Sequence, residues 1–167
     1  TTLFWLPTEL ILFNNCNLNR KNNFNLSKDS NLLLCENIIF GRTSMKEEIQ
    51  KGYISDFWTI NVDNKLIHTE AINTGLFEKK YLNSFSTLNK NSAVATIIIV
   101  GNKFLNNVNN LSETLTNNEN TTSNYSQWDN KLIVRLLSKD SYNLKFAIDK
   151  ILSYFFEGSK IPKVWNI

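Results

Sequence analysis

Residues 54–73 read I-S-D-F-W-T-I-N-V-D-N-K-L-I-H-T-E-A-I-N, and this stretch decides the fold class. Ile54, Trp58 and Ile60 recur on one face of an extended chain, while polar residues occupy the other face. This period of two is typical of a β-strand that buries one side. Other apolar runs of strand length stand at residues 3–13, 32–40, 93–100 and 132–137. The sequence therefore predicts a protein built mainly from β-strands.

The turn inside this stretch is the dipeptide Asp-Asn at residues 63–64. Both residue types tolerate the left-handed backbone that a type I′ turn requires. The stretch is therefore predicted to fold as a hairpin. If the loop has only two residues, Ile60 pairs with Ile67 and Thr59 with His68. That register places His68 on the surface, on the same face as Glu70 and Phe57.

Two helices are expected beside the strands. The firmer one covers residues 141–157, where apolar residues recur at helical spacing, Asp140 or Ser141 can cap the start and Gly158 can end the helix. A weaker helix is expected over residues 103–115, because asparagine lowers helix propensity. Residues 116–127 are rich in Asn, Thr and Ser and are expected to form a loop. We find no internal repeat and expect residues 1–167 to form a single domain.

Composition and charge argue against two classes of partner, nucleic acids and membranes. The formal charge is +3, and the lysines are scattered instead of clustered in the stripe that nucleic-acid binders present. No stretch approaches the ~18 apolar residues of a membrane span. We therefore expect no nucleic-acid partner and no membrane partner. Cys16 and Cys35 make no disulfide framework and fit a reducing compartment.

The chemical inventory is poor in catalytic and metal-binding groups. His68 is the one histidine, and it lies far in sequence from both cysteines, whereas metal sites draw on several His or Cys at ligand spacing. No activated serine or cysteine with a base is apparent, and the glycines are too dispersed for a phosphate loop. The sequence therefore favours a binding or scaffolding protein that is not an enzyme and holds no cofactor tightly.

Three segments of the chain match the sequence pattern of one known protein family. Residues 5–13, W-L-P-T-E-L-I-L-F, resemble the family strand W-x-P-Q-E-x-I-x-F, with Thr8 in place of the usual Gln. Residues 36–52 resemble a family stretch with an acid, a Gly-Arg, a Gly-Glu and a closing Gly, although Thr43 and Lys46 depart from it. The matching positions there are Glu36, Gly41, Arg42, Glu47 and Gly52.

The third segment closes the chain. L-I-V-R-L-L, at residues 132–137, is followed by a helix and by I-P-K-V-W at residues 161–165. Arg135, Pro162 and Trp165 match the family there, and Lys163 replaces a usual Arg. The hairpin also resembles the family, which often has Asp-Gly at the turn and an acid near the end of the second strand. Because the family's N-terminal Pro-Gly-Gly turn and Gly-Asp segment are absent, the chain is expected to be the C-terminal part of such a protein.

Together these segments resemble the UreD (UreH) family of urease accessory proteins. The resemblance implies stacked, β-helix-like sheets and a scaffold in the cytoplasm. Such a scaffold acts as a chaperone in metallocentre assembly, in a complex with UreF, the GTPase UreG and apo-urease. Nickel would be a cargo in transit and not a resident cofactor. An Arg–carboxylate network in the loop, built from Glu36, Arg42 and Glu47, is expected to fix the loop, to contact a partner or to line a polar passage. The full set of partner-binding or polar-network candidates is Glu9, Glu36, Arg42, Glu47, Glu70, Arg135 and Trp165.

Two other functions compete with this one. The main alternative is a generic β-rich protein–protein interaction module with no link to urease. The other is a hydrolase whose nucleophile the inventory did not reveal. Urease subunit genes beside the gene for this chain would separate the first two, because an unrelated module has no reason to stand there.

Overall fold

The computed structural model describes residues 1–42, 45, 47–106, 108–156, 161–162 and 165. It is mainly β, as the sequence predicted, with one long helix and three single-turn helices among the described residues. The strands are β1 Thr2–Trp5, β2 Leu10–Leu12, β3 Cys16–Leu26, β4 Asn31–Phe40, β5 Lys51–Val62, β6 Lys65–Glu78, β7 Ala93–Val100, β8 Thr121–Trp128 and β9 Lys131–Ser138. The helices are α1 Lys79–Leu82, α2 Asn102–Leu105, α3 Leu111–Thr114 and α4 Ser141–Phe156.

The chain divides into two compact units. The first comprises Thr1–Leu10, Asn31–Ile39 and Asn91–Ile167, and the second comprises Ile11–Ser30 and Phe40–Lys90. The single domain expected over residues 1–167 stays a prediction. In the part of the chain that the structure describes, no helix combines the length and the apolar character needed to cross a membrane.

The first unit is built on a sheet with the strand order β1-β4-β7-β9-β8. Strand β7 is central in this order, and its uncharged, β-branched sequence suits a strand with neighbours on both sides. One face of the sheet packs against α4, whose Leu144, Ile148 and Ile151 are fully buried. The Asn143 amide donates to Asp140 Oδ1 over 2.8 Å, so Asp140 caps this helix. The predicted helix end, residues 157–158, lies outside the described residues.

The weaker helix predicted over residues 103–115 is wrong as one element. The structure has two single-turn helices, α2 and α3, separated by an Asn-rich segment. Asparagine side chains compete for backbone hydrogen bonds, which explains the interruption. Apolar residues of the two short helices are still buried, Phe104 before the interruption and Leu111 after it.

The loop predicted over residues 116–127 is wrong in its second half, where the edge strand β8 forms. It pairs with β9 in an antiparallel hairpin through the turn Asp129-Asn130, where φ is 46° and 59°. The tripeptide Asp-Asn-Lys at residues 129–131 repeats the one at residues 63–65. This repeated turn signal marked the hairpin, but the polar composition of the strand concealed it.

The second unit is built on a three-stranded sheet with the order β3-β5-β6. Strands β3 and β5 are parallel and stay in register from Cys16 to Leu26. Strands β5 and β6 form the predicted hairpin, and its turn residues at 63–64 have φ of 46° and 64°. This agrees with the left-handed turn that the sequence predicted.

The predicted hairpin register is wrong. The pairing shifts between Ile60 and Asn61, so that Ile60 lies opposite His68 and Thr59 opposite Thr69. Ile67 is the extra residue of a β-bulge. Because side chains alternate between faces, one extra residue turns all that follow it to the opposite face. The bulge thus puts His68 and Glu70 on the same face as the buried Ile60 and Trp58.

Candidate functional site

Charged side chains lie on the buried face of the three-stranded sheet. Ile54, Trp58 and Ile60 of β5 form that face, and Asp56 stands between them with almost no exposure. A carboxylate buried among apolar groups is costly unless donors satisfy its oxygens. Asp56 is therefore expected to have hydrogen-bond donors or a counter-charge beside it.

Arg20 of β3 supplies the counter-charge, directly opposite Asp56. Its Nε and Nη2 atoms donate to the two Asp56 carboxylate oxygens over 2.9 and 2.7 Å. The Trp58 indole N–H also donates to Asp56 Oδ1, over 2.8 Å, and the Arg20 guanidinium lies 5.7 Å from the Trp58 ring centroid. The Asp56 side chain is 1% exposed and the Arg20 side chain 25%. Such a two-pronged pair fixes geometry as well as charge.

His68 and Glu70 of β6 join the same face because of the bulge. Their side chains are 10% and 9% exposed, and His68 Nε2 lies 3.5 Å from Glu70 Oε2. The surface position predicted for His68 is therefore wrong. It does share a face with Glu70, but Phe57 is exposed on the other side of the sheet. We call Arg20, Asp56, Trp58, His68 and Glu70 the inner polar cluster.

The loop after β4 holds a second arginine–carboxylate pair. Arg42 Nε donates to Glu47 Oε2 over 2.6 Å, and the Asn14 amide donates to Glu47 Oε1 over 3.1 Å. These two contacts, the Asn14 one first, lower the pKa of Glu47. The Arg42 guanidinium also lies 4.4 Å from the Phe13 ring centroid. Gly41 is required here, because its φ is +91° and a Cβ would stand 2.8 Å from the Glu47 carbonyl oxygen.

The other polar-network candidates on the first sheet form a row. Glu36, Thr96 and Arg135 lie opposite one another on β4, β7 and β9. Glu36 is buried and accepts a hydrogen bond from the Trp5 indole N–H over 3.1 Å. Arg135 Nη1 donates to Thr96 Oγ1 over 2.9 Å. Glu36 is thus a strand residue of the first unit and not part of the loop that carries Arg42.

The two remaining predicted residues lie elsewhere in the first unit. Trp165 is buried, and its indole N–H donates to the Leu6 carbonyl oxygen over 2.6 Å. The Lys145 ammonium lies 4.1 Å from the Trp165 ring centroid. Trp165 therefore anchors a distant part of the chain by packing and one hydrogen bond. Glu9 is exposed between β1 and β2.

Sequence reasoning missed Arg20 and Asp56 as site residues. The signal for Asp56 was present, because it is the one charged position within the apolar alternation of residues 54–60. The signal for Arg20 was absent, because its partner lies 36 residues away on a parallel strand. A charged residue on an otherwise apolar strand face needs a partner, but the alternation of apolar and polar residues does not identify which residue that partner is.

The described residues include no group of three or more His, Cys, Asp or Glu placed to hold a metal ion. Burial raises the pKa of the Cys35 thiol far above its usual range, and the neighbouring Glu36 charge adds to this. Burial also raises the pKa of Cys16. Both thiols therefore stay largely protonated near neutral pH. The polar groups described above therefore provide charged side chains that hydrogen bonds hold in place.

Known proteins resemble the chain along nearly its whole length. The family model described as UreD urease accessory protein matches residues 1–166. A urease accessory protein UreD from Rhizobium leguminosarum bv. viciae is 31% identical over 166 residues, which cover 98% of this chain and 59% of that protein. The UreD of Agrobacterium fabrum (strain C58) is 30% identical over 169 residues, covering 99% of this chain and 57% of the relative.

The chain spans about three-fifths of the length of these curated relatives. A third relative, from Brucella abortus biovar 1, is named urease accessory protein UreD 1 and is 29% identical over 174 residues. All three names describe accessory proteins and not enzymes, in agreement with the chemical inventory of the sequence. On the family match over residues 1–166, the chain belongs to the UreD family of urease accessory proteins.

Proposed function

We propose that this chain helps to load nickel into urease, as a scaffold in a complex with UreF, the GTPase UreG and apo-urease. The observation that carries the proposal is the UreD family match over residues 1–166. Because the chain spans about three-fifths of its relatives, the activity and the partners of a whole UreD protein belong to the proposal as well. The cytoplasm is the proposed location, and the unbridged Cys16 and Cys35 are in keeping with a reducing compartment.

Nickel is the cargo in this proposal, and UreG supplies the GTP hydrolysis. The chain's own residues contribute a rigid frame with charges at defined places. Arg20 and Asp56 hold two strands together by a two-pronged ion pair, and the His68–Glu70 pair continues the polar face onto the third strand. A buried, two-pronged ion pair such as Arg20–Asp56 can fix the geometry of the two strands. A frame of this kind can present docking surfaces without changing shape.

The predicted site residues divide by exposure into two roles. We assign partner contact to Glu9, Arg42, Glu47 and Arg135, because each reaches solvent. We assign support of the frame to Glu36, Glu70 and Trp165, because each is buried. Exposed charges at the rim of an interface steer association, whereas buried ones hold register.

Co-purification tests the proposal. The tagged chain is expressed with the UreF, UreG and apo-urease of its own organism and captured, with a tagged, unrelated β-rich domain as the control. We expect UreF and apo-urease to be retained by the chain and not by the control. Arg135→Ala should weaken retention, while Lys139→Ala, an exposed change on the loop beyond β9, should not. Retention of none of the three partners would favour a generic interaction module with no link to urease.

A further inference from the structure

The loop that follows α1 holds a large aromatic side chain in solvent. Phe85 is 88% exposed and lies in residues 83–90, between Ser84 and Ser86. Burial of a phenylalanine ring is strongly favourable, and the folded chain does not make use of it here. We call Ser84, Phe85 and Ser86 the knob. A single exposed apolar residue needs no explanation by itself, so the case for a role rests on the loop and on the surface beside it.

The hydrogen bonds of this loop hold the knob in place. Thr87 Oγ1 donates to the Leu82 carbonyl oxygen over 2.7 Å. The Leu88 amide donates to the same carbonyl oxygen over 2.9 Å, and the Asn89 amide donates to the Ser84 carbonyl oxygen over 2.9 Å. The side chains of Leu82 and Leu88, before and after the knob in sequence, are both buried. Because the loop is already ordered, binding through the knob costs little conformational entropy.

A hollow of about 520 Å³ lies at one end of the three-stranded sheet. Its lining comes from the same end of all three strands and consists of residues 15–17, 51–53 and 76–78. Leu76 is 89% exposed and lies opposite Tyr53, so the lining includes apolar surface that water reaches. The Lys79 amide donates to the Gln50 carbonyl oxygen over 2.7 Å, which places the start of α1 beside this end of the sheet. The knob and the hollow therefore lie at the same end of the second unit.

The charges around the hollow suit an uncharged occupant. Its two charged lining residues, Lys51 and Glu78, are opposite in sign and stand opposite each other on β5 and β6. The knob carries no charge, and its two serine hydroxyls, of Ser84 and Ser86, lie 3.0 Å apart in a hydrogen bond. Covering a charged surface is costly when it leaves an ion without a partner. A knob that enters the hollow leaves no such ion, because the charges of the lining balance.

We propose that two copies of this chain form a dimer in which the knob of each copy enters the hollow of the other. A knob and a hollow that lie far apart on a molecule build open filaments, whereas neighbouring ones can both be filled across a two-fold axis. The shared position of the knob and the hollow thus favours a closed dimer, which buries two Phe85 rings at once. This inference goes beyond the nickel-loading proposal and requires no UreF, UreG or urease.

Sedimentation equilibrium of the purified chain tests the proposal. We expect a reversible monomer–dimer equilibrium with a dissociation constant on the order of 10 μM, since the contact surface is small. Phe85→Ser should weaken association at least about tenfold, because it removes both knobs of the dimer. Its melting temperature, measured where the parent chain is monomeric, should match that of the parent. The control is Tyr142→Ser in the first unit, where another aromatic side chain is 79% exposed, and it should associate like the parent.

Photo-crosslinking locates the contact. The photoreactive amino acid p-benzoylphenylalanine replaces Phe85 and keeps an aromatic ring at the knob. Copies with and without isotope labels are mixed, so that mass spectrometry separates links between copies from links within one copy. We expect links between copies that end at the residues lining the hollow. Asn17→Trp fills the hollow from an exposed position and should weaken association as Phe85→Ser does, although the knob is unchanged.

Four results would overturn the proposal: a monomer at every concentration, assemblies that grow beyond the dimer, association of Phe85→Ser equal to that of the parent, or links from position 85 that miss the hollow of the other copy. A chain that stays monomeric alone but binds UreF or apo-urease through Phe85 would assign the knob to that partner, and the dimer would be wrong. Failure of the nickel-loading proposal would leave these measurements unchanged, since they use this chain alone.

Discussion

The second unit contains two arginine–carboxylate pairs in different surroundings. Arg20 and Asp56 face each other on the buried side of a sheet, and the Asp56 side chain is 1% exposed. Arg42 and Glu47 meet in a loop, with side chains 39% and 24% exposed. The family resemblance pointed to the loop pair, whereas the structure alone revealed the buried one. Residues that match a family motif and charged residues that are buried therefore give different information. The first indicate candidate contact residues, and the second indicate support within the fold.

Burial decides what each pair does for stability. In the loop, water and salt screen the attraction, so the pair contributes little to stability. On the buried face, neither charge can be removed alone without leaving the other in an apolar setting. We therefore expect the buried pair to matter for folding and the loop pair for contacts with other molecules.

The largest effect is expected from Arg20→Ala. The change leaves the Asp56 carboxylate buried with the Trp58 indole as its remaining donor from the cluster. Breaking a buried pair from one side costs ~3–5 kcal/mol of unfolding free energy, and we expect about 3 because Trp58 still donates. Urea denaturation measures it, with the adjacent exposed Lys21→Ala as a control expected to change stability by less than about 0.5 kcal/mol. A loss below about 1 kcal/mol for Arg20→Ala would mean that water reaches Asp56.

A smaller effect is expected when both charges are replaced. Arg20→Met with Asp56→Leu fills the same space with apolar groups and strands neither ion. Replacements of this kind are often neutral or stabilising. We expect the double variant to melt well above Arg20→Ala, although the Trp58 indole then loses its acceptor. Equal melting temperatures for the two variants would show that packing around the pair, and not its charge, sets the stability.

In the loop, Arg42→Ala is expected to cost at most about a third of what Arg20→Ala costs. It should still cost more than Lys51→Ala, because Arg42 contacts both Glu47 and the Phe13 ring, whereas Lys51 is an exposed strand residue. Thermal melting of the three variants side by side gives the order. The same Arg42→Ala protein should be impaired in urease activation, and Lys51→Ala should not. A large loss of stability for Arg42→Ala would erase the distinction between the two pairs.

The smallest effect is a pH dependence. The folded pKa of Glu47 is lowered, so its ionised form is the one that the fold favours. Its contribution to stability is present above the unfolded pKa and is lost as the pH falls through the lowered folded value. The stability difference between the parent chain and Arg42→Ala should therefore shrink in acid. Denaturation at pH 7, 5 and 3 measures it, and in a Glu47→Gln background the difference should not vary with pH.

Local sequence patterns correctly predicted the elements whose signal does not depend on which strand or helix packs beside them. The alternation of residues 54–60 marked β5, the uncharged run at residues 93–100 marked the central β7, and the helical stripe of residues 144–155 marked α4. Each signal lies within one element, because burial of one face imposes the period along that element. Strand β8 was missed because it is a polar strand at the edge of the sheet, and such a strand needs no apolar period.

The inner polar cluster was beyond local reasoning for two physical reasons. The bulge at Ile67 depends on how two strands settle against each other, and it alone decides that His68 and Glu70 face inward. The pairing of Arg20 with Asp56 depends on a parallel contact between strands distant in sequence. Alternation shows that a strand has two faces but not which partner stands opposite each residue.

The nickel content of urease tests the central claim most directly. Urease is purified from the organism that encodes this chain, from a strain lacking its gene and from that strain with the gene restored, and nickel per active site is measured by mass spectrometry. The account predicts nickel-poor, inactive urease without the gene and recovery of both properties on restoration. Fully loaded, active urease in the strain that lacks the gene would contradict a role in urease maturation.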